Sequence, residues 1–463
     1  MSVKKLSLLD STMIIMGSMI GSGIFIVPAA MSRELGSPLL LIAAWLATAL
    51  LTWLAALSYG ELAAMMPKAG GQYVYLNRAY HPLVGFLYGW TLFTVIQTGT
   101  IAAVAVAFAK FSGVFFPFIS EKQYLFEYGN FKIQTLQILA IIIVWILTFS
   151  NFKSVKRGAL VQNIFTLTKV GAIVFLLFAG LHYIATSPSV AIDWKMEGIF
   201  NALDFVPLFC VALVGSIFSA DAWNNITFTG GEIEKPERNL PLSLLMGTGI
   251  VLGIYLLINL IYLHTLSFEA IQHAPYDRVG TLMLQTIFGD TGLYIMAALI
   301  MISTFGCING LTLSGARVYY AMACDGLLFK RATKLNKHQS PQFALIIQGI
   351  WTSLLTLTGS YGELLDYVVF AVLLFYILTV GGVFMLRKRE PDTPRPYKTW
   401  GYPVLPALYI VLATVICVSL LIYRPEFSYS GLGIVMVGIP VYIMSRLTSR
   451  SKPILQWKKT EKP

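Results

Sequence analysis

The chain has 463 residues, 57% of them hydrophobic and only 12% charged, with a net charge of +11 and a mean hydropathy of +0.72. Soluble globular chains carry about 45–50% apolar and about 25% charged residues, so this composition excludes a water-wrapped domain and points to a polytopic membrane protein. The positive balance is not a nucleic-acid signal, because lysine and arginine collect in alternate loops between apolar runs.

The N-terminus, MSVKKLSLLD, leads into the first apolar run with no small-residue cleavage site, so no cleaved leader is expected. Hydropathy predicts about twelve spans, at 11–35, 38–65, 82–112, 133–150, 158–183, 203–231, 241–264, 291–323, 342–358, 362–386, 404–423 and 430–446. The first, MIIMGSMIGSGIFIVPAAM at 13–31, carries Gly17, Gly21 and Gly23 where a helix is most needed. Unpaired backbone survives at mid-membrane only where something polar fills the gap. Residues 11–20 are expected to form an inner half-helix about 15 Å long. GSG at 21–23 is then the unwound patch, and Ile24 onward the outer half. The outer half aims N–H groups near Gly21, Ser22 and Gly23 at mid-membrane, which attract an anion. The inner half aims the Met19 and Ile20 carbonyls at the same point, which attract a cation. A small-residue packing face, GSMIG at 17–21, is the competing reading of the same glycines.

The second span carries Glu61 near its inner end, expected to pair with loop bases. Span three offers Val95, Ile96, Gln97 and Thr98 for a side-chain pocket. Span five holds Lys169 deep inside IFTLTKVGAIVFLLF. A lysine there costs about 2.5–3.5 kcal/mol on insertion scales, so it must face a polar interior. Span six breaks again, in VGSIFSADAWNNITFTGG at 214–231. Corresponding interruptions in the first and sixth spans point to an inverted-repeat transporter with a central site. This second break adds carbonyls from Phe218 to Asp221 and N–H groups near Trp223 and Asn224. A guest that satisfies both signs at close range is a zwitterion, and an α-amino acid is the natural candidate. Asp221 either favours cationic substrates or caps the half-helix that follows. Beyond it, Glu232, Glu234 and Glu237 are expected partners for loop bases, and the basic loop at 326–342 is either a short interfacial helix or a plain topogenic loop.

The four cysteines, Cys210, Cys307, Cys324 and Cys417, make no CxxC pair and read as packing residues. The histidines, His81, His182, His264, His273 and His338, have no ligand spacing. There is no HExxH, GxSxG or phosphate loop. Neither catalytic residues, a metal nor a cofactor is therefore expected. With the N-terminus inside, only Arg33, Lys110, Lys122, Lys132, Lys195, Arg278 and Arg424 fall in external segments. That bias places both termini in the cytoplasm of a multi-pass cell-membrane protein in contact with lipid.

GSMIGSGIFIVPA at 17–29, YGELAAMMPKAGGQYVYL at 59–76 and FSADAWNNITFTGGEIEKPERNLP at 218–241 resemble the amino acid–polyamine–organocation superfamily, in its L-type amino-acid transporter branch. The resemblance runs along essentially all the spans. It implies an all-α membrane fold of the LeuT type, a five-plus-five inverted repeat with two extra helices and alternating access. One transporter domain, 1–463, would divide into a first repeat at 1–190, a second at 191–390, and two helices with a tail at 391–463. The resemblance also implies that Gly21, Ser22 and Gly23 bind a substrate carboxylate. Carbonyls of Met19, Ile20, Phe218 and Asp221 would hold its ammonium, Phe218 would be the outer gate, and Asn224 a polar neighbour. Lys169, touching the Gly17 carbonyl and Ser303, would stand in for a sodium ion or carry a proton. Ala220 and Ala222 depart from the branch, which often has an aromatic before the aspartate and a glycine after it. The loop at 112–132 lacks the cysteine that links animal members to a heavy subunit, which implies a partner-independent, prokaryote-like transporter. The expected function is sodium-independent exchange of neutral L-amino acids, small ones such as alanine and serine first. A proton-coupled amino-acid or polyamine symporter is the alternative.

Overall fold

The computed structural model describes residues 6–67, 70–128, 131–152, 155–187, 192–194, 202–328, 330–338, 340–358 and 361–448. Helix α1 (Leu8–Met19) starts on a capping box. Ser7 Oγ accepts the Asp10 N–H at 3.2 Å, and the Asp10 carboxylate accepts the Ser7 N–H at 2.9 Å, which satisfies two otherwise orphaned donors. The helix stops at Ile20, and α2 (Gly23–Leu35) resumes at an angle of 45°. Gly36, at φ +63°, then supplies the left-handed residue that ends α2. Pro38 sits in the first turn of α3 (Pro38–Met65), where its missing N–H costs nothing.

Helix α4 (Gly71–Ala79) is a short link. Helices α5 (Pro82–Thr91) and α6 (Gln97–Ser112) form one span joined by a π turn at Leu92–Ile96. A hairpin of β1 (Tyr124–Tyr128) and β2 (Phe131–Gln134) fills part of the following loop. After it come α7 (Thr135–Ser150), α8 (Val155–Thr186), α9 (Ala202–Ser219) and a 3-10 stretch at Trp223–Glu232. The chain continues through α10 (Pro236–Thr265), α11 (Phe268–Gln272), α12 (Val279–Phe288), α13 (Asp290–Cys324), α14 (Gln342–Thr358), α15 (Tyr361–Arg389), α16 (Val404–Tyr423) and α17 (Pro425–Thr448). The loop at 326–342 forms one 3-10 turn, Lys330–Thr333, among its described residues, rather than a longer interfacial helix.

Nine of these runs are long and apolar enough to cross a membrane, and the bent pair α1–α2 makes ten. The two other expected spans, α7 and α14, are apolar helices of 16 and 17 residues. They fall short of the roughly 20 residues that span a 30 Å hydrocarbon core. Apart from the short hairpin, the architecture is the helical membrane fold that the resemblance implies, with interrupted first and sixth spans. Span three lies at its centre, with 89% of its apolar window buried, whereas only 22% of the corresponding window in α17 is buried. Helix α1 packs on α10 and α8, and α2 packs on α9.

Two ends of the bundle are closed differently. At the end bearing the N-terminus, Leu6 pairs with the strand-like exit of span six, donating to Glu232 O at 2.8 Å and accepting from Glu234 N at 2.9 Å. Glu61 is fully buried there and takes a two-pronged bond from Arg387 (2.9 and 2.7 Å) and another from the Thr399 N–H at 2.7 Å. Arg395 approaches the same carboxylate at 3.3 Å. The pairing expected for Glu61 is therefore a buried one, and Glu232 pairs with Arg317 at 3.0 Å. At the hairpin end, Asp277 ties Arg33 (2.8 Å) and Lys110 (3.6 Å) together, and Lys110 also reaches Glu121 at 3.2 Å.

Candidate functional site

Breaking α1 frees the carbonyls of its last turn, which would otherwise accept from residues four positions on. Three side chains from three other spans take them up. Lys169 of α8, 1% exposed, donates to Gly17 O at 2.8 Å. The Cys307 thiol of α13 lies 3.8 Å from Ser18 O. Tyr255 of α10 donates to Met19 O at 3.0 Å. A buried cation at a helix C-terminus also complements the helix dipole. The N–H groups of Gly21, Ser22 and Gly23 have no acceptor among the described residues. Ser22 Oγ lies 3.3 Å from the Tyr361 hydroxyl.

The glycines divide between the two readings the sequence offers. A Cβ on Gly17 would come within 2.4 Å of Thr166 Oγ1, and one on Gly23 within 2.1 Å of Ser219 Oγ. Those two let helices approach closely. A Cβ on Gly21 would meet nothing nearer than Cys307 Sγ at 3.7 Å, so packing does not require that glycine.

The second break closes mainly on itself. Ala220 N bonds to Ser216 O at 3.0 Å and Asp221 N to Phe218 O at 3.2 Å, so the Phe218 carbonyl is already occupied. Ala222 follows at φ +66°, a conformation that costs a non-glycine residue about 1 kcal/mol or more. It is Ala222, not Asp221, that stands at the N-cap of the 3-10 stretch, and no side chain caps it. The Asp221 carboxylate instead accepts the Tyr376 hydroxyl of α15 at 2.6 Å. Asn224 donates to Gln72 at 3.1 Å, and Gln72 to Thr379 at 2.9 Å, which ties the stretch to α4 and α15. Trp223 is sealed among Tyr59 and Tyr376, with ring centroids 4.8 and 5.4 Å away. Such aromatic pairs add about 0.5–1.5 kcal/mol each beyond their buried area.

Two small cavities flank this junction, each with about 20 Å³ of room for water centres. One is lined by Met19, Gly21, Ser22, Gly23, Phe218 and Asp221, together with Thr100, Val104, Cys307 and Leu311. Six of the eight expected substrate-binding residues therefore meet at one wall. The other two do not: Ile20 lines neither cavity, and Asn224 lines the second, with Gln72, Gln97, Asn225 and Tyr376. Thr100, Asp221, Ala222 and Leu311 border both and form the partition. Of the expected span-three residues, Ile96 and Gln97 line the second cavity while Val95 and Thr98 line neither, and Tyr88, Leu92, Thr100 and Val104 of the same span complete the lining. Lys169 and Gly17 meet as expected. Ser303 is buried, but its hydroxyl has no hydrogen-bond partner among the described residues.

Sequence reasoning did not single out Tyr255, Tyr361 or Tyr376. A tyrosine in an apolar helix is commonplace, and nothing local marks which hydroxyl reaches a broken strand of backbone.

Chemically, the wall offers unpaired N–H donors on one side and a buried carboxylate on the other. The mouse (Mus musculus) b(0,+)-type amino acid transporter 1 is 28% identical over 435 residues, covering 92% of this chain and 84% of that relative. Large neutral amino acids transporter small subunit 2 is 30% identical in rabbit (Oryctolagus cuniculus) over 95% of this chain and 80% of the relative. The human (Homo sapiens) form is also 30% identical, with the same coverage. These relatives are transporters rather than enzymes. The family model for amino acid permeases matches residues 6–444, nearly the whole described length, and the chain belongs to that amino acid permease family.

Proposed function

We propose that the chain exchanges small neutral L-amino acids, alanine and serine first, across the cell membrane without sodium. The observation that carries this reading is the wall at the first break. Three backbone N–H groups face the cavity that Asp221 also lines, a polarity matched to a carboxylate and an ammonium on one carbon. The walls supplied by Val104, Cys307, Leu311 and Phe218 leave little room, which favours a short side chain. Met19 O and Phe218 O are already engaged, so the ammonium is read as seated by the Asp221 side of the wall. Lys169 on Gly17 O supports sodium independence, because its amine already fills the place between α1 and α8 where a sodium ion would bind.

Phe218 is read as the outer gate and alternating access as the cycle. The repeats run over 1–190 and 191–390, and 391–463 adds two helices and a tail. Both termini face the cytoplasm. The transporter is read as working without a disulfide-linked subunit, because the loop at 112–132 carries no cysteine.

Uptake into proteoliposomes tests the reading. Internal alanine should accelerate uptake of external labelled alanine, and replacing sodium with choline should change nothing. Sodium-dependent uptake would overturn the exchange reading. Accumulation driven by a pH gradient into liposomes without internal substrate would establish the symport alternative.

A further inference from the structure

We infer that Tyr361 is a positioning residue that couples the carboxylate seat to the outer gate. This rests on the reading above, in which a carboxylate sits at Gly21–Gly23. Tyr361 begins α15 and is 6% exposed. Its one side chain touches both halves of the machinery. The hydroxyl lies 3.3 Å from Ser22 Oγ, and the ring meets Phe218 edge-on, with centroids 6.3 Å apart at 82°.

The two hydroxyls have only each other. Ser22 forms no side-chain cap on α2, and Tyr361 has no other hydrogen-bond partner among the described residues. When Tyr361 donates to Ser22 Oγ, the serine proton is free to point into the cavity that Ser22 lines. That is the direction of the unpaired N–H groups, so serine and backbone donors converge on one anionic group. A hydroxyl that accepts a hydrogen bond is also a better donor. Occupying the seat therefore fixes the Ser22–Tyr361 pair, and the same tyrosine ring holds Phe218 against the seat. Binding on one break is thereby relayed to the gate on the other, through a residue that lines neither cavity.

The prediction separates hydroxyl from ring. Tyr361→Phe keeps the ring and should raise the KM for L-alanine exchange about fivefold, the size of one modest hydrogen bond, with kcat within about twofold. Tyr361→Leu removes the ring as well and should lower kcat too. Ser22→Ala should raise KM as Tyr361→Phe does, and the double variant Ser22→Ala/Tyr361→Phe should be no worse than Ser22→Ala alone, because both act through one bond. An unchanged KM in Tyr361→Phe overturns the inference, as do effects that multiply in the double variant. If wild-type protein exchanges alanine while the variants match it, the inference alone fails. If wild-type protein exchanges no amino acid, the transport reading fails and takes the inference with it.

Discussion

At the first break the freed carbonyls are claimed by side chains from α8, α10 and α13, while at the second the backbone bonds to itself and turns through a left-handed alanine. The first break thus depends on three distant spans, and what it leaves open is positive: the three N–H groups of Gly21, Ser22 and Gly23. The second depends mostly on its own sequence, and what it contributes is negative, the Asp221 carboxylate. Two interruptions of similar appearance therefore present opposite signs to one cavity. In the proposed reading, complementarity to a zwitterion arises between the breaks rather than within either.

The sharpest way to break this comparison is Lys169→Ala. It removes the lysine that holds Gly17 O at the first break, and an unpaired buried carbonyl costs about 1–3 kcal/mol. Alanine exchange should fall at least about tenfold; wild-type rates in the variant would show that the lysine is a bystander. Next comes the glycine pair. Gly23→Ala forces a Cβ against Ser219, and overpacking of this kind costs about 1–3 kcal/mol. Its thermal unfolding in detergent should drop by several degrees, whereas Gly21→Ala should unfold near the wild-type temperature and impair uptake instead. Equal melting losses for the two would erase the distinction between packing and site. Tyr255→Phe leaves Met19 O without its donor and should raise the alanine KM about threefold, one weak hydrogen bond's worth. An unaltered KM would detach α10 from the site.

The smallest effect belongs to a control far from both breaks, the Arg78–Glu390 pair at 2.5 Å. Burial pushes the Glu390 carboxyl up, but the hydrogen bond and charge of Arg78 outweigh it and hold the group below its ordinary range. A depressed folded pKa stabilises the fold above the ordinary glutamate value of about 4.3, and that contribution is lost as pH falls through the folded value. Partly exposed pairs contribute about 0–1 kcal/mol. Glu390→Gln should therefore lower the melting temperature slightly at pH 7, and the gap to wild type should close toward pH 4. A gap that widens in acid would reverse the assigned direction.

Much of the fold was legible because bilayer physics writes long apolar runs into the chain. Ten of the expected spans appear at full length among the described residues, and the Gly-Ser-Gly run at 21–23 and the Ser-Ala-Asp-Ala run at 219–222 mark where helices stop. The site was legible where backbone forms it: Met19, Gly21, Ser22, Gly23, Phe218 and Asp221 lie at the breaks, so finding the breaks finds them. It was not legible where a side chain arrives from elsewhere. Nothing around Tyr255, Tyr376 or Tyr361 distinguishes them from packing tyrosines, and no hydropathy pattern records the π turn at Leu92–Ile96 within span three.

From the sequence alone came the membrane class, the position of both interruptions and the buried lysine, because each follows from the cost of exposing polar groups to hydrocarbon. Tertiary structure alone decided which carbonyls are already taken, which glycine is left open and which hydroxyl meets Ser22. Those depend on the approach of helices hundreds of residues apart, and a hydrogen bond is made or lost over less than an ångström of that approach.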